Sequence, residues 1–161
     1  MTEVAAQSPV AQPGARHGAW PAFAGCLIAV FMQMIDVTIV NTALPSITAD
    51  LRASAAQQLL VVTAYSLAFA CALLPAARLG AMFGRRWMFL GSVVAFTAAS
   101  VWCGMSDSAV ELIAARVAQG VAGGGMAAQT IAILTASFPR RRHPLVFAVY
   151  GVAAALTGVF G

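Results

Sequence analysis

Five long apolar runs set the pace of this sequence, at roughly residues 20–44, 57–77, 87–105, 109–138 and 145–161, with only short polar stretches between them. A helix needs about 20 apolar residues to cross a bilayer's hydrocarbon layer. Inside that layer every backbone N–H and C=O must find its partner within the protein, which favours helices. The chain is therefore read as all-α, a polytopic membrane bundle of about five transmembrane helices. Composition agrees: 61% of the 161 residues are hydrophobic and 9% are charged, against about 25% charged in a soluble domain.

The stretches between the runs carry the topology. Residues 1–18, rich in Ala, Pro, Gln and Gly, read as a disordered cytoplasmic tail that precedes a transmembrane domain over 19–161. The first run is too long for a signal-peptide core. Phe23-Ala24-Gly25-Cys26 faintly resembles a lipoprotein cleavage box, but its hydrophobic segment follows the cysteine instead of preceding it. A loop is expected from Pro45 to Ala56 and a basic loop over Arg78–Arg86. Ser106-Asp107-Ser108 should turn the chain and cap the next helix. A second basic loop spans Pro139–Pro144. Arg16, Arg78, Arg85, Arg86 and Arg140–Arg142 fall on one side and Arg52 alone on the other. The positive-inside rule then places the N-terminus in the cytoplasm. The last run has no flanking charge or stop signal, so it is expected to be a truncated span, an unanchored last helix being the alternative.

Several functions are disfavoured. The net charge of +4 comes with nine basic residues, all arginine and mostly in short clusters between apolar runs; that pattern suits membrane loops better than a nucleic-acid groove. Cys26, Cys71 and Cys103 lie within apolar runs and read as small hydrophobes, with no disulfide framework and no metal-binding pair. His17 and His143 lie outside the runs, no nucleophile–base spacing is evident, and Gly123-Gly124-Gly125 sits within a run rather than at a phosphate-binding helix start. Neither an enzyme nor a cofactor or metal site is expected.

Against this apolar background the stretch from Asp36 to Pro45 stands out. A carboxylate near the centre of a membrane helix costs roughly 2.5–3.5 kcal/mol on insertion scales, and such residues tend to mark ion or substrate routes. Asp36 lies eight residues before Leu44, and Arg116 eight after Ser108, so each sits roughly 12 Å below the same surface. Opposite charges at equal depth on different helices can influence one another directly or through water; separate snorkelling is the alternative. Gln33 shares a helical face with Asp36, while Met34, Thr38 and Asn41 form a second stripe at helical spacing. These residues, with Gln119, read as cavity-lining; for Thr38 and Asn41, interhelical hydrogen bonding is the competing role. Gly120, Gly123 and Gly124 read as a helix-packing face. Glu111, one turn inside the boundary, is expected to be solvated. Phe31, Met32, Met34 and Phe69 offer adaptable apolar surface for a cargo, or plain packing and lipid contact.

Together these pieces resemble the major facilitator superfamily, and within it the fourteen-span branch of drug:proton antiporters. Asp36-x-Thr38-x-Val40-Asn41-x-Ala43-Leu44-Pro45 is similar to that branch's span-1 signature. Gly80 to Arg86 resembles the superfamily's motif in the loop between spans 2 and 3, and Arg116-Val117-Ala118-Gln119-Gly120 its span-4 motif. Tyr150-Gly151 through Gly158 and Gly161 looks like the opening of the span-5 antiporter motif. One departure is plain: the loop motif has an acidic and then a basic residue after its first glycine, where this chain has Ala81 and Met82. In the family that acid joins a cytoplasmic charge network holding the outward-facing state. Restoring Asp at position 81 should therefore shift the resting population outward.

The resemblance implies most of the first six-helix half of a transporter that works by alternating access, embedded in the lipid bilayer of the cell membrane and completed by further spans. It implies proton-coupled efflux of small amphipathic or cationic compounds. Asp36 and Arg116 would handle the proton or the cargo, Gly80, Gly84, Arg85 and Arg86 would belong to a gating loop, and Gly120, Gly123, Gly124, Gly151, Gly158 and Gly161 to helix packing. Two alternatives stay open: a superfamily importer of a metabolite, and a non-transporting membrane fragment that binds partner helices.

Overall fold

Five α-helices follow one another: α1 (Arg16–Asp50), α2 (Ala55–Phe83), α3 (Arg85–Gly104), α4 (Ala109–Ser137) and α5 (His143–Phe160). This computed structural model describes the backbone of residues 16–160 and the side-chain surroundings of residues 19–156, Thr48 excepted. There are no strands among the described residues. Helices α2, α3 and α4, and α1 over Ala19–Ile47, are each long and apolar enough to cross a membrane. Most of the expected tail lies outside the described residues, but Arg16–Gly18 already belong to α1.

Helix ends depart from the expected loops in two places, each for a local reason. Helix α1 continues through Pro45 to Asp50. Pro45 removes the amide that would bond to the carbonyl of Asn41, yet the turn holds, and Ser46 donates to the carbonyl of Ala43 at 2.8 Å. Arg52, with φ of 49°, supplies the left-handed residue that ends the helix. Ser54 then opens α2 with a full capping box: its hydroxyl accepts from the Gln57 amide, and the Gln57 side chain accepts from the Ser54 amide.

The second departure is at the basic loop expected over Arg78–Arg86. Helix α2 runs on to Phe83 and α3 starts at Arg85, so the loop shrinks to Gly84. Its φ of 96° lies where side-chain-bearing residues are strained.

The α3–α4 turn falls where expected, and Glu111 stands partly exposed beside it. It accepts from the Trp102 indole at 2.9 Å and the Asp107 amide at 3.2 Å, tying the α3–α4 turn together while Ser108 caps α4. Beyond α4, Arg140–Arg142 form a single tight turn before α5 begins.

Helix α4 is the axis of the bundle. Most of its membrane window is buried, whereas the other three spanning helices are mainly exposed. That exposure is apolar, as at Ile28, Leu67, Leu74, Val94 and Val101, which suits lipid or neighbouring helices and not water. Aromatic rings collect at the helix ends, Trp20, Phe23 and Phe138 in mutual edge contacts and Trp102 at the opposite end, as interfacial aromatics do.

Helices α2 and α4 run parallel, and small residues set their separation. A side chain on Gly120 would collide with the backbone carbonyl of Tyr65 and crowd Ala68. On Gly124 it would lie 2.6 Å from the carbonyl oxygen of Phe69 and 3.0 Å from Ala72. Two small-residue ridges therefore meet, Ala68-Ala72-Ala76-Gly80 on α2 and Gly120-Gly124 on α4, which is how helices approach closely without a hydrophobic driving force.

Candidate functional site

The four spanning helices converge on one buried ion pair. Arg116 Nη1 donates to Asp36 Oδ2 at 2.7 Å; the side chains are 3% and 12% exposed. One turn further along α4, Gln119 lies on the same face and donates from Nε2 to the other carboxylate oxygen at 2.5 Å. Gln119 Oε1 in turn accepts from Arg116 Nη1 at 2.7 Å. The carboxylate of α1 is thus held on both oxygens by a charged and a neutral donor from α4.

Helices α2 and α3 close the cluster. Arg116 Nε reaches the carbonyl of Val61 at 3.4 Å, and its guanidinium carbon lies 4.3 Å from the centre of the Tyr65 ring. That is within cation–π distance. Cys103 of α3 donates its thiol to Gln119 Oε1 at 3.5 Å. Burying two charges is expensive, and the expense is offset only when geometry and additional hydrogen bonds are good; here both conditions hold.

The other expected site residues divide. Gln33 is buried and donates to the carbonyl of Gly123 at 2.8 Å, which ties α1 to α4. Gln119 is fully buried in the cluster. Thr38 bonds back to the carbonyl of Met34 in its own helix at 2.9 Å and borders a shallow groove of about 320 Å³ with Ile39 and Thr42. Met34 is half-buried and Asn41 exposed. Phe69 stacks on Tyr65, with ring centres 6.0 Å apart.

At the basic end, the residues expected to form a gating loop stand on helices. Gly80 is buried within α2, Gly84 joins two helices, and Arg86 is exposed in the first turn of α3. Arg85 donates to the carbonyl of Ala132 on α4 at 3.0 Å. Ala81 and Met82 are exposed. Among the expected packing glycines, Gly120, Gly123 and Gly124 meet α2 or its side chains, but a side chain on Gly151 would meet nothing within 4 Å among the described residues. Gly151 lies on the exposed face of α5, and Gly158 and Gly161 lie outside the residues whose surroundings are described.

Sequence reasoning missed Tyr65, Cys103 and Gln129. Gln129 is fully buried; its amide donates to the carbonyl of Ala76 at 2.7 Å, while Oε1 has no partner among the described residues. The signal that singled out Gln119, a carboxamide inside an apolar run, applied equally to Gln129.

Comparison with known proteins agrees with this architecture. The family model described as Major Facilitator Superfamily matches residues 26–161. An uncharacterised transporter of Mycobacterium tuberculosis is 40% identical over 142 residues, 88% of this chain and 24% of its own length. The tetracenomycin C resistance and export protein of Streptomyces glaucescens is 34% identical over 145 residues, 89% of this chain and 27% of its own. The multidrug export protein EmrB of Haemophilus influenzae is 33% identical over 134 residues, 83% of this chain and 26% of its own. The chain spans about a quarter of the length of these curated relatives.

Proposed function

This chain belongs to the Major Facilitator Superfamily, and from that membership and its buried charge cluster we propose that it is the N-terminal part of a proton-coupled exporter of small amphipathic or cationic compounds. Superfamily members are multi-pass membrane transporters, and two of the relatives above carry export in their names. The observation that carries the proposal is the cluster of Asp36, Arg116 and Gln119 at the meeting of four helices. A carboxylate held by a cation and a carboxamide can exchange those partners for a proton or for a cationic cargo. Once it is neutral, the guanidinium must find another acceptor, and the helices carrying the two groups shift in relative preference. A site formed near the midplane between two halves, with rocking of one half against the other, converts such a shift into alternating access.

On this reading the described helices supply one wall of the pathway, and further spans of the full-length protein supply the rest. The basic end, with Arg78, Arg85, Arg86 and Arg140–Arg142, faces the cytoplasm, which also places the N-terminus there.

The test is transport by the full-length protein in proteoliposomes under an imposed proton gradient, with ethidium as the cargo. Export that collapses in Asp36→Asn while the variant remains folded supports the proposal. Unimpaired gradient-driven export in that variant overturns the role of Asp36, and cargo moving with the proton overturns the direction.

A further inference from the structure

When Asp36 takes up a proton, the guanidinium of Arg116 loses the one counter-charge it has among the described residues. It has nowhere wet to go, since Arg116 is 2% exposed within these helices alone. The spans that complete the protein therefore add little to its surroundings. A buried cation without a partner is expensive, so whatever else holds Arg116 decides how readily Asp36 is protonated. Two of the other contacts are polar: the carbonyl of Val61 at 3.4 Å and Gln119 Oε1 at 2.7 Å. The third is the face of the Tyr65 ring, its centre 4.3 Å from the guanidinium carbon.

That ring is built into place. Tyr65 is buried and stacks on Phe69, one turn along α2, with ring centres 6.0 Å apart. Its hydroxyl lies over Gly123 of α4, where a side chain would come within 3.1 Å of it. Val61, one turn before Tyr65 on α2, supplies the carbonyl, so a single helix offers the guanidinium both an acceptor and a π face. An aromatic face attracts a cation through its quadrupole, more strongly where water is excluded. The attraction needs no proton and no formal charge, so it acts in both states of Asp36, whereas the ion pair acts in one.

We propose that Tyr65 is a positioning residue for proton exchange: the face of its ring holds the Arg116 guanidinium in the cluster while Asp36 is neutral. The proposal rests on the reading of Asp36 as the group that exchanges the proton. The titratable and charged groups around the cluster come one from each spanning helix, Asp36, Tyr65, Cys103 and Arg116. Helix α5 sets Tyr150 near Cys26 and His143 on the Phe138 carbonyl instead. A phenol ordinarily ionises near about pH 10 and a thiol above about pH 8, so a proton that exchanges at lower pH is carried by Asp36.

The experiment is an infrared titration of the full-length protein in detergent, reading the carboxyl stretch of protonated Asp36, identified by its absence in Asp36→Asn. Tyr65→Leu removes the π face and makes the neutral state of Asp36 costlier. The midpoint should move to lower pH by about one unit, a roughly tenfold change and the size of a desolvated cation–π contact. Tyr65→Phe keeps the face and should titrate as the wild type does. Trifluorophenylalanine at position 65 keeps the shape but weakens the face, and should follow Tyr65→Leu; it also serves if the leucine variant does not fold. Equal midpoints in all of these, a Tyr65→Phe shift as large as that of Tyr65→Leu, or a shift to higher pH would overturn the proposal. Thermal unfolding supplies a second reading. Tyr65→Leu should lower the unfolding temperature more in Asp36→Asn than in the wild type, where the ion pair still holds the guanidinium. Packing alone predicts equal losses, and equal losses would overturn the ring's role. Neither reading needs a cargo or a gradient, so this proposal stands or falls apart from the export assay.

Discussion

The carboxamide of Gln129 occupies the space that a side chain at Gly80 would need. It is held there by its bond to the Ala76 carbonyl, one turn earlier on the same helix. The absent side chain on α2 and the buried amide on α4 are therefore one arrangement, and it pins the end of α2 that leads into Gly84.

Gly80→Ala should be destabilising. The new methyl must expel the carboxamide, losing a buried hydrogen bond worth about 1 kcal/mol and adding overpacking of about 1–3 kcal/mol. Gln129→Ala should also destabilise, but Gly80→Ala/Gln129→Ala should be more stable than the sum of the two single losses predicts, because the smaller residue vacates the space. Thermal unfolding of the four proteins in detergent gives the coupling; strict additivity would show that the two residues do not compete.

The glycines of α4 should separate by what they meet. Gly120→Ala and Gly124→Ala push a methyl into the backbone of α2, at Tyr65 and Phe69, and backbone cannot swing aside as a side chain can. Each should lower the unfolding temperature through a loss of about 1–3 kcal/mol. Gly91→Ala and Gly151→Ala meet nothing within 4 Å among the described residues and should be neutral or gain up to about 1 kcal/mol from helix propensity. If all four variants unfold alike, the close approach of α2 and α4 does not hold the bundle together.

Much of this was legible in the sequence, because the physics that sets it is local. Apolar run length announces a spanning helix, and the equal depth of Asp36 and Arg116 made their pairing one of two readings, separate snorkelling being the other. The helix ends were less legible. The proline at position 45 and the arginines at 78–86 signal interruption, yet α1 and α2 each continue past the expected boundary. Hydrogen bonding inside an apolar environment rewards continued helix more than a single breaker discourages it. What could not be read was which face each helix turns to its neighbours. Tyr65 and Cys103 reach the charge cluster only because α2 and α3 flank α4 in one rotational setting. The bond from Gln33 to Gly123 depends on the same rotational setting.

Gly84 is the one residue between α2 and α3, and its φ of 96° with ψ of 124° is open to glycine alone without strain. Gly84→Ala should cost about 1–3 kcal/mol, or bend the α2–α3 junction to avoid the cost. Ala81→Gly, three residues back within the exposed end of α2, adds the general cost of glycine in a helix without touching the junction. Thermal unfolding of the two variants separates the effects; equal losses would mean that the junction carries no special strain.

The ion pair should obey the asymmetry of buried charges. Arg116→Gln leaves the Asp36 carboxylate with Gln119 as its remaining donor on α4, and breaking a buried pair by removing one partner costs about 3–5 kcal/mol. Asp36→Asn leaves the guanidinium with the carbonyls of Val61 and Gln119 and the face of Tyr65, so its loss should be smaller. Asp36→Asn/Arg116→Gln removes both charges and keeps groups able to hydrogen-bond, and its stability should recover above that of Arg116→Gln alone. The order of unfolding temperatures should be wild type, then Asp36→Asn and the double variant, then Arg116→Gln. A double variant no more stable than Arg116→Gln would mean that what matters at this point is the guanidinium's packing against Tyr65 and not its charge.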